Sequence, residues 1–433
     1  MKLKDFRLNK WALAALMGMF TLASCSSDDD NGNDNNGGDS NEIVIENGST
    51  LNGTVASGKT ALIKEGYNVK LSGEYIVEDG ATLKIEPGVT ITAVRDETPD
   101  YILIKQGGKI DAQGTANNPI VMTAQYTSGE VLNTVGWGGI HICGKAHTNK
   151  GTGTKSEIGN APYGSGESTA NDNDNSGILR YIRLEYTGFA LDEEHEANGV
   201  SFYGVGSGTT VDHIQVYKGG DDGFEFFGGS VNVKYLVATD CEDDSFDWTE
   251  GWNGKAQFLV ATQAGTTGAK DNGDCLIEAD NNGDNNTATP YAHPILSNLT
   301  LIGNNSENGT RGIRLRAGTE AEIYNTLVTG KPKAVTVETQ HTEEALSNAT
   351  SKLEYITVKD GAFDSKEGVY TQDKFLATAN NNTLDGTFSF SNTFVGTIDG
   401  GKDLSTSDSF FTKAIYRGAV GTNDTWTSGT WIK

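Results

Sequence analysis

A short phrase returns in this chain with the same chemistry at the same points. It reads Asp222-Gly-Phe-Glu-Phe and then, 22 residues later, Asp244-Ser-Phe-Asp-Trp. Related strands begin at Gly138, Asn198, Cys275, Arg311 and Lys333. A second kind of strand alternates strictly with the first, as in "LRYIRLEYTG" from Leu179, "VDHIQVYKG" from Val211 and "LSNLTLIGN" from Leu296. A repeat of this length cannot bury an apolar face alone. Stacked copies bury a continuous core, so the pattern predicts a solenoid.

Coils of about 22 residues with short strands and tight Gly, Asp and Asn corners fit an all-β, right-handed parallel β-helix with rungs about 4.8 Å apart. A propeller would need antiparallel strands in groups of four, and a sandwich would not repeat. The 55 glycines and 7 prolines suit many turns and little helix. Side chains alternate across a strand, so the repeat reads in columns. The third column (Ile140, Val200, Phe224, Phe246, Ile277, Ile313) and the fifth (Ile142, Phe202, Phe226, Trp248, Ala279, Leu315) are apolar and face inward. The fourth points outward: His141, Ser201, Glu225, Asp247, Glu278, Arg314, Thr336.

The phrases "GATLKIEPGVTI", "GWGGIHICGKA", "NDNDNSGILRYIRLEY" and "GVGSGTTVDHIQVYKGGDDGFEFFGG" resemble a family of Bacteroidota-type surface lipoproteins with a pectate-lyase-like β-helix. Residues 410–431 are similar to that family's C-terminal cap. The resemblance implies a fold and a location; it implies no activity. The N-terminus agrees with it. Lys2, Lys4, Arg7 and Lys10 precede an apolar core at 11–22, and "LASC" looks like a lipobox. The expected organisation is a lipoprotein signal peptide at 1–24, a disordered acidic tether at 25–42 behind a lipidated Cys25, and one β-helix domain at 43–433 ending in a cap. The expected location is the outer membrane, lipid-anchored and exposed at the cell surface.

The formal charge of −25, from 58 acidic and 33 basic side chains, repels nucleic acid and leaves cations and sugars as ligands. Between Gly219 and Asp247 lie eight acidic residues and one base, Lys234. Glu225, Asp247 and Glu278 are expected on adjacent rungs, where like charges repel. Protonation of the middle group, a neighbouring cation such as Arg314, or a bound metal would relieve them. Ca²⁺ is the expected ion, with Asp222, Glu225, Asp244, Asp247 and Glu278 as ligands. Two blander readings stand beside this one. Asp221, Asp222, Asp243 and Asp244 are corner residues able to cap backbone N–H groups, and the outward column is able to be a solvated acidic face. The run "LDEEHE" at 191–196 is read as a polar loop rather than a metal site. Cys143, Cys241 and Cys275 are either buried thiols or include one disulfide, with Cys241–Cys275 as the better pair.

Three functions remain open. The first is a surface protein binding an extracellular ligand, a glycan foremost, in a groove walled by the inserts. His141, Trp252, Arg311 and Arg314 are its candidate contacts, with Trp252 expected exposed and Trp248 inside; Trp137 and Tyr203 are further stacking candidates. The second is a Ca²⁺-dependent polysaccharide lyase, which the likeness to pectate-lyase-type helices implies, with Arg314 or Arg311 as proton abstractor. A two-carboxylate glycoside hydrolase is a variant of that idea. The third is an accessory subunit partnered with an outer-membrane protein. No nucleophile motif, phosphate loop or His-rich zinc spacing is present.

Overall fold

The computed structural model describes residues 41–433, apart from 97, 129, 131, 191–196, 264–272 and 307–308. The signal peptide, Cys25, nearly all of the tether and the acidic run at 191–196 lie outside the described residues.

The chain winds as a right-handed parallel β-helix. Strands of the first kind stack on one face: Ile140–Cys143, Val200–Tyr203, Phe224–Phe227, Phe246–Thr249, Ile277–Ala279, Arg311–Leu315, Lys333–Val337 and Ala362–Ser365. Each pairs in parallel with the next, without slippage from Ile140 to Leu315. Strands of the second kind run from Gly177–Glu185 to Lys352–Lys359 and also pair in parallel.

Each of these longer strands bends once, at a residue in the left-handed region: Tyr181, His213, Tyr235, Phe258, Asn298, Asn325 and Tyr355, with φ between 49° and 63°. The register skips these residues, so each strand serves two faces and the cross-section is three-sided. A left-handed residue with a β-carbon costs on the order of 1–3 kcal/mol. The bends recover it by contact with one another. The rings of Tyr181, His213, Tyr235 and Phe258 stack in succession at 4.3, 4.3 and 5.0 Å, and Asn298 and Asn325 hydrogen-bond outward.

The interior holds the inward columns. Phe202 stacks on Phe226 at 5.1 Å, Phe224 on Phe246 at 5.5 Å, and Phe226 on Trp252 at 4.2 Å. Trp248 and Trp252 are both fully buried. Cys143, Cys241 and Cys275 are free and buried, so of the two readings the buried thiols hold and no Cys241–Cys275 bridge is formed. Burial pushes the Cys143 and Cys241 thiols up to about 12.

The C-terminal region does two separate jobs. Residues 366–385 close the last coil around Phe363, Tyr370 and Phe375. Their anchor is Glu343 of the helix Gln340–Ser347, whose buried carboxylate accepts from the backbone N–H groups of Glu367, Val369 and Tyr370 at 2.8, 2.6 and 2.9 Å. Residues 386–433, which include the stretch read as the cap, instead run back along the bend column as a strap. Lys402 bonds Asn325, Tyr416 accepts from Asn298, Ala419 donates to Thr300, Thr412 pairs with Gln257, and Lys433 reaches Gln215. Trp426 and Trp431 close over the stacked rings, at 5.3 Å from Tyr235 and 5.4 Å from His213. Among the described residues no helix is long and apolar enough to cross a membrane.

Two predictions follow from this packing. Trp431 is fully buried against Tyr181 and His213. Trp431→Ala is expected to cost about 3–5 kcal/mol, read as a lowered urea midpoint. The second concerns pH. His293 lies between Glu320 and Glu322, at 3.1 and 3.6 Å, and those carboxylates raise its pKa from 6.5 to about 9. Burial alone would raise Glu322, but its contacts with His293, Tyr324 and Lys352 outweigh that and lower it from 4.5 to about 2. The His293 contribution is complete below pH 6.5 and is lost as pH rises through about 9. The Glu322 contribution is complete above pH 4.5 and is lost as pH falls through about 2. Melting temperature should therefore decline from pH 7 to 9, and His293→Gln should flatten that decline.

Candidate functional site

The outward column of the first face stands in unbroken register: His141, Ser201, Glu225, Asp247, Glu278, Arg314 and Thr336 follow one another on successive rungs. What covers the column differs along its length. At the His141 end, residues 144–176 fold back over the sheet. Ile158, Ala161 and Tyr163 form a small core there with Leu103, Cys143, Tyr203 and Phe227. His141 is therefore fully buried and is not a ligand contact. Its Nε2 meets the Gly138 carbonyl oxygen at 2.5 Å, and burial lowers its pKa to about 4, keeping the ring neutral. Trp137 and Tyr203 are buried likewise.

Trp252 is a second correction. Glu250 and Gly251 both have positive φ, which turns the chain inward, and the Trp252 indole packs on Phe226 and donates to the Val231 carbonyl at 3.2 Å. It offers no face to a ligand.

The corner aspartates do cap backbone. Asp222 accepts from the Asp244 N–H at 2.8 Å, and Asp244 accepts from the Cys275 N–H at 2.5 Å, so each carboxylate bonds the next coil. At the far end of the ladder, two arginines neutralise it. Arg314 bonds Glu278 at 2.7 Å and Glu338 at 3.2 Å, while Arg316 bonds Asp280 at 2.7 Å and also pairs with Glu278. Burial alone would lower the Arg314 pKa; Glu278 and Glu338 outweigh it and hold the guanidinium above its ordinary value. Arg311 lies 3.6 Å from Glu338 and faces that pair.

Glu225 and Asp247 are left in the middle. They form the floor of a cavity of about 310 Å³, together with Phe227 and Thr249. Lys150, Glu157 and Glu250 make one wall; Asp280, Asn282, Asp284 and Arg316 make the other. Glu225 takes a 2.6 Å bond from Asn198. The Asp247 Oδ1 is buried with no hydrogen-bond partner. Burial raises the pKa of both carboxyls well above the usual range, reinforced by Glu157 and Asp247 around Glu225 and by Glu278 and Asp280 around Asp247. Carboxyl oxygens of Asp222, Glu225 and Asp247 lie within 4.8 Å of one another, as do those of Asp244, Asp247 and Glu278.

The walls are joined by groups that the sequence reading did not single out. Asn149 donates to Asn281 at 2.9 Å and accepts from Asn282 at 2.9 Å. His147, fully buried, bridges Asp172 at 2.8 Å and the Gly251 carbonyl at 2.7 Å. Glu250 gathers Thr148 at 2.9 Å, Tyr163 at 2.5 Å and Lys150 at 3.3 Å. The signal for His147 and Asn149 was the polar run "HTNKG" at 147–151, shortly after the strand that ends at Cys143, inside an insert long enough to reach across several rungs. The cavity is therefore framed before any ligand arrives.

Residues 53–427 match the pectate-lyase-like β-helix domain family. No curated protein and no solved structure matches the chain. The match spans most of the chain and agrees with the parallel coils, so the chain belongs to the pectate-lyase-like β-helix family.

Proposed function

We propose that this protein is a lipid-anchored, outer-membrane surface protein that binds an extracellular glycan in the cleft above Glu225 and Asp247, with Ca²⁺ held by the acidic ladder. The observation that carries the reading is the buried Asp247 Oδ1, which lacks a donor at the floor of a 310 Å³ cavity with braced walls. Leaving a buried acceptor unpaired is costly, so a cation held among these clustered carboxylate oxygens recovers that free energy. Preformed concave sites with a few convergent polar groups are where small ligands bind.

The donor set suits a hard divalent cation. Asp222, Glu225 and Asp247 offer clustered carboxylate oxygens, the chemistry that Ca²⁺ takes. Glu278 is less suited, because Arg314 and Arg316 already use its oxygens. Asp244 adds to the negative field and spends one oxygen on the backbone. The anchor reading rests on the basic n-region, apolar core and "LASC" sequence ahead of Cys25.

The lyase reading is weakened by Arg314. A proton abstractor must be deprotonated for part of its time, and a guanidinium held between two carboxylates is the reverse of that.

Two experiments test the proposal. Ca²⁺ at millimolar concentration should raise the melting temperature of the parent, since it binds the native ladder and not the unfolded chain. The double variant Glu225→Gln/Asp247→Asn should melt higher than the parent without Ca²⁺ and lose the response. A parent that ignores Ca²⁺ would count against the ion. In the second experiment, Cys25→Ala should move the protein from the detergent phase to the aqueous phase in cell fractionation. Retention in salt-washed membranes would count against the lipid anchor.

A further inference from the structure

We infer that the corner formed by Gly273, Asp274 and Gly309 is a monovalent-cation site, built from main-chain carbonyls, which the chain fills with its own Lys331 ammonium. Lys331 is fully buried. Its Nζ donates to the carbonyl oxygens of Gly273, Asp274 and Gly309 at 3.3, 2.6 and 2.7 Å. A lysine ammonium has three donors and no acceptor, so three converging carbonyls satisfy it completely. Burial lowers its pKa from 10.5 to about 8, with Asp274 and Asp244 among the groups that oppose the fall, so the side chain is a cation at pH 7.

The site arises where an insert interrupts the succession of coils. At the same corner of the preceding coils, each carbonyl is met by an N–H of the next coil: Glu242 donates to Gly219 at 2.8 Å, Gly273 to Glu242 at 3.3 Å and Asp274 to Asp243 at 3.0 Å. Past Ile302 the chain carries the insert "GNNSENGT". Among the described residues, the donor that the Gly273, Asp274 and Gly309 oxygens receive is the Lys331 ammonium, which reaches back across two coils. Buried carbonyls need such a partner. Gly309 lets the oxygens converge, since a β-carbon there would lie 2.0 Å from the Gly273 carbonyl oxygen. The three segments lead into Ile277–Ala279, Arg311–Leu315 and Lys333–Val337, so the cation fastens three successive rungs at the arginine end of the ladder. Its ligand class differs from that of the cleft. Uncharged carbonyl oxygens replace water around potassium and accept from ammonium, whereas a hard divalent ion calls for carboxylates.

The test replaces the built-in cation with a free one. Lys331→Ala and Lys331→Met are melted beside the parent in about 0.2 M sodium, potassium, ammonium, methylammonium or tetramethylammonium chloride, and each variant is read as its deficit from the parent in the same salt. Lys331→Ala should melt below the parent in tetramethylammonium, an ion too large for the site. It should recover about half or more of that deficit in at least one of potassium, ammonium and methylammonium, which bind the native site and not the unfolded chain. Lys331→Met keeps the bulk of the side chain without a donor, so its deficit should persist in every salt. A Lys331→Ala protein with the same deficit in every salt, or one that folds in none of them, would overturn the inference. So would a Lys331→Met protein that melts level with the parent.

Discussion

Parallel hydrogen bonding between successive coils holds every side chain directly above its counterpart one turn away. For apolar residues this is favourable, because rings such as Phe202 and Phe226, or Phe224 and Phe246, stack face to face down the core. For charged residues the same register is a burden. Glu225, Asp247 and Glu278 are brought onto adjacent rungs by the backbone pairing that orders the core. The molecule cannot relax one without giving up the other. Local chemistry has to relieve the acidic column, and it does so unevenly: arginines neutralise Glu278, an amide reaches Glu225, and Asp247 keeps a bare oxygen.

That unevenness separates two uses of carboxylates a few residues apart. Asp222 and Asp244 sit where the chain enters the strand, and each spends an oxygen on a backbone N–H of the next coil. Glu225 and Asp247, three positions on, line the cavity. Because Asn149 ties one wall to the other and His147 and Glu250 brace the first, little ordering remains to be done on binding, and that preorganisation favours affinity.

The columns were legible in the sequence because strand periodicity is a strictly local rule. Alternation alone assigned Phe224, Phe226, Phe246 and Trp248 to the interior and put Glu225, Asp247, Glu278 and Arg314 in line. Features that depend on distant chain were not legible. Whether an outward residue meets solvent depends on what folds over it, and His141 is buried by residues 144–176. Trp252 was misplaced because its neighbours Glu250 and Gly251 adopt positive φ, a conformation that Glu seldom takes. The bends at Tyr181, His213, Tyr235 and Phe258 left no compositional mark either, since a turn made by one aromatic residue reads as continuous strand. Of the bend positions, Asn298 and Asn325 carry the residue type that suggests such a turn.

A stack of repeats ordinarily couples only nearest neighbours, like beads that touch one at a time, so its ends can fray while its middle stays intact. The strap changes that connectivity. Between Lys402 and Lys433 it bonds Asn325, Gln257, Thr300 and Gln215, and Thr430 donates to the Ala116 carbonyl at 2.8 Å. One segment is therefore in direct contact with rungs up to four coils apart, from that of Gln215 to that of Asn325. Opening a single rung in this span strips part of the strap, and losing the strap uncovers aromatic surface along several rungs at once. A one-dimensional array is thereby converted into a unit with a long-range fastening. Its unfolding should be governed less by the weakest coil than by the moment the fastening lets go.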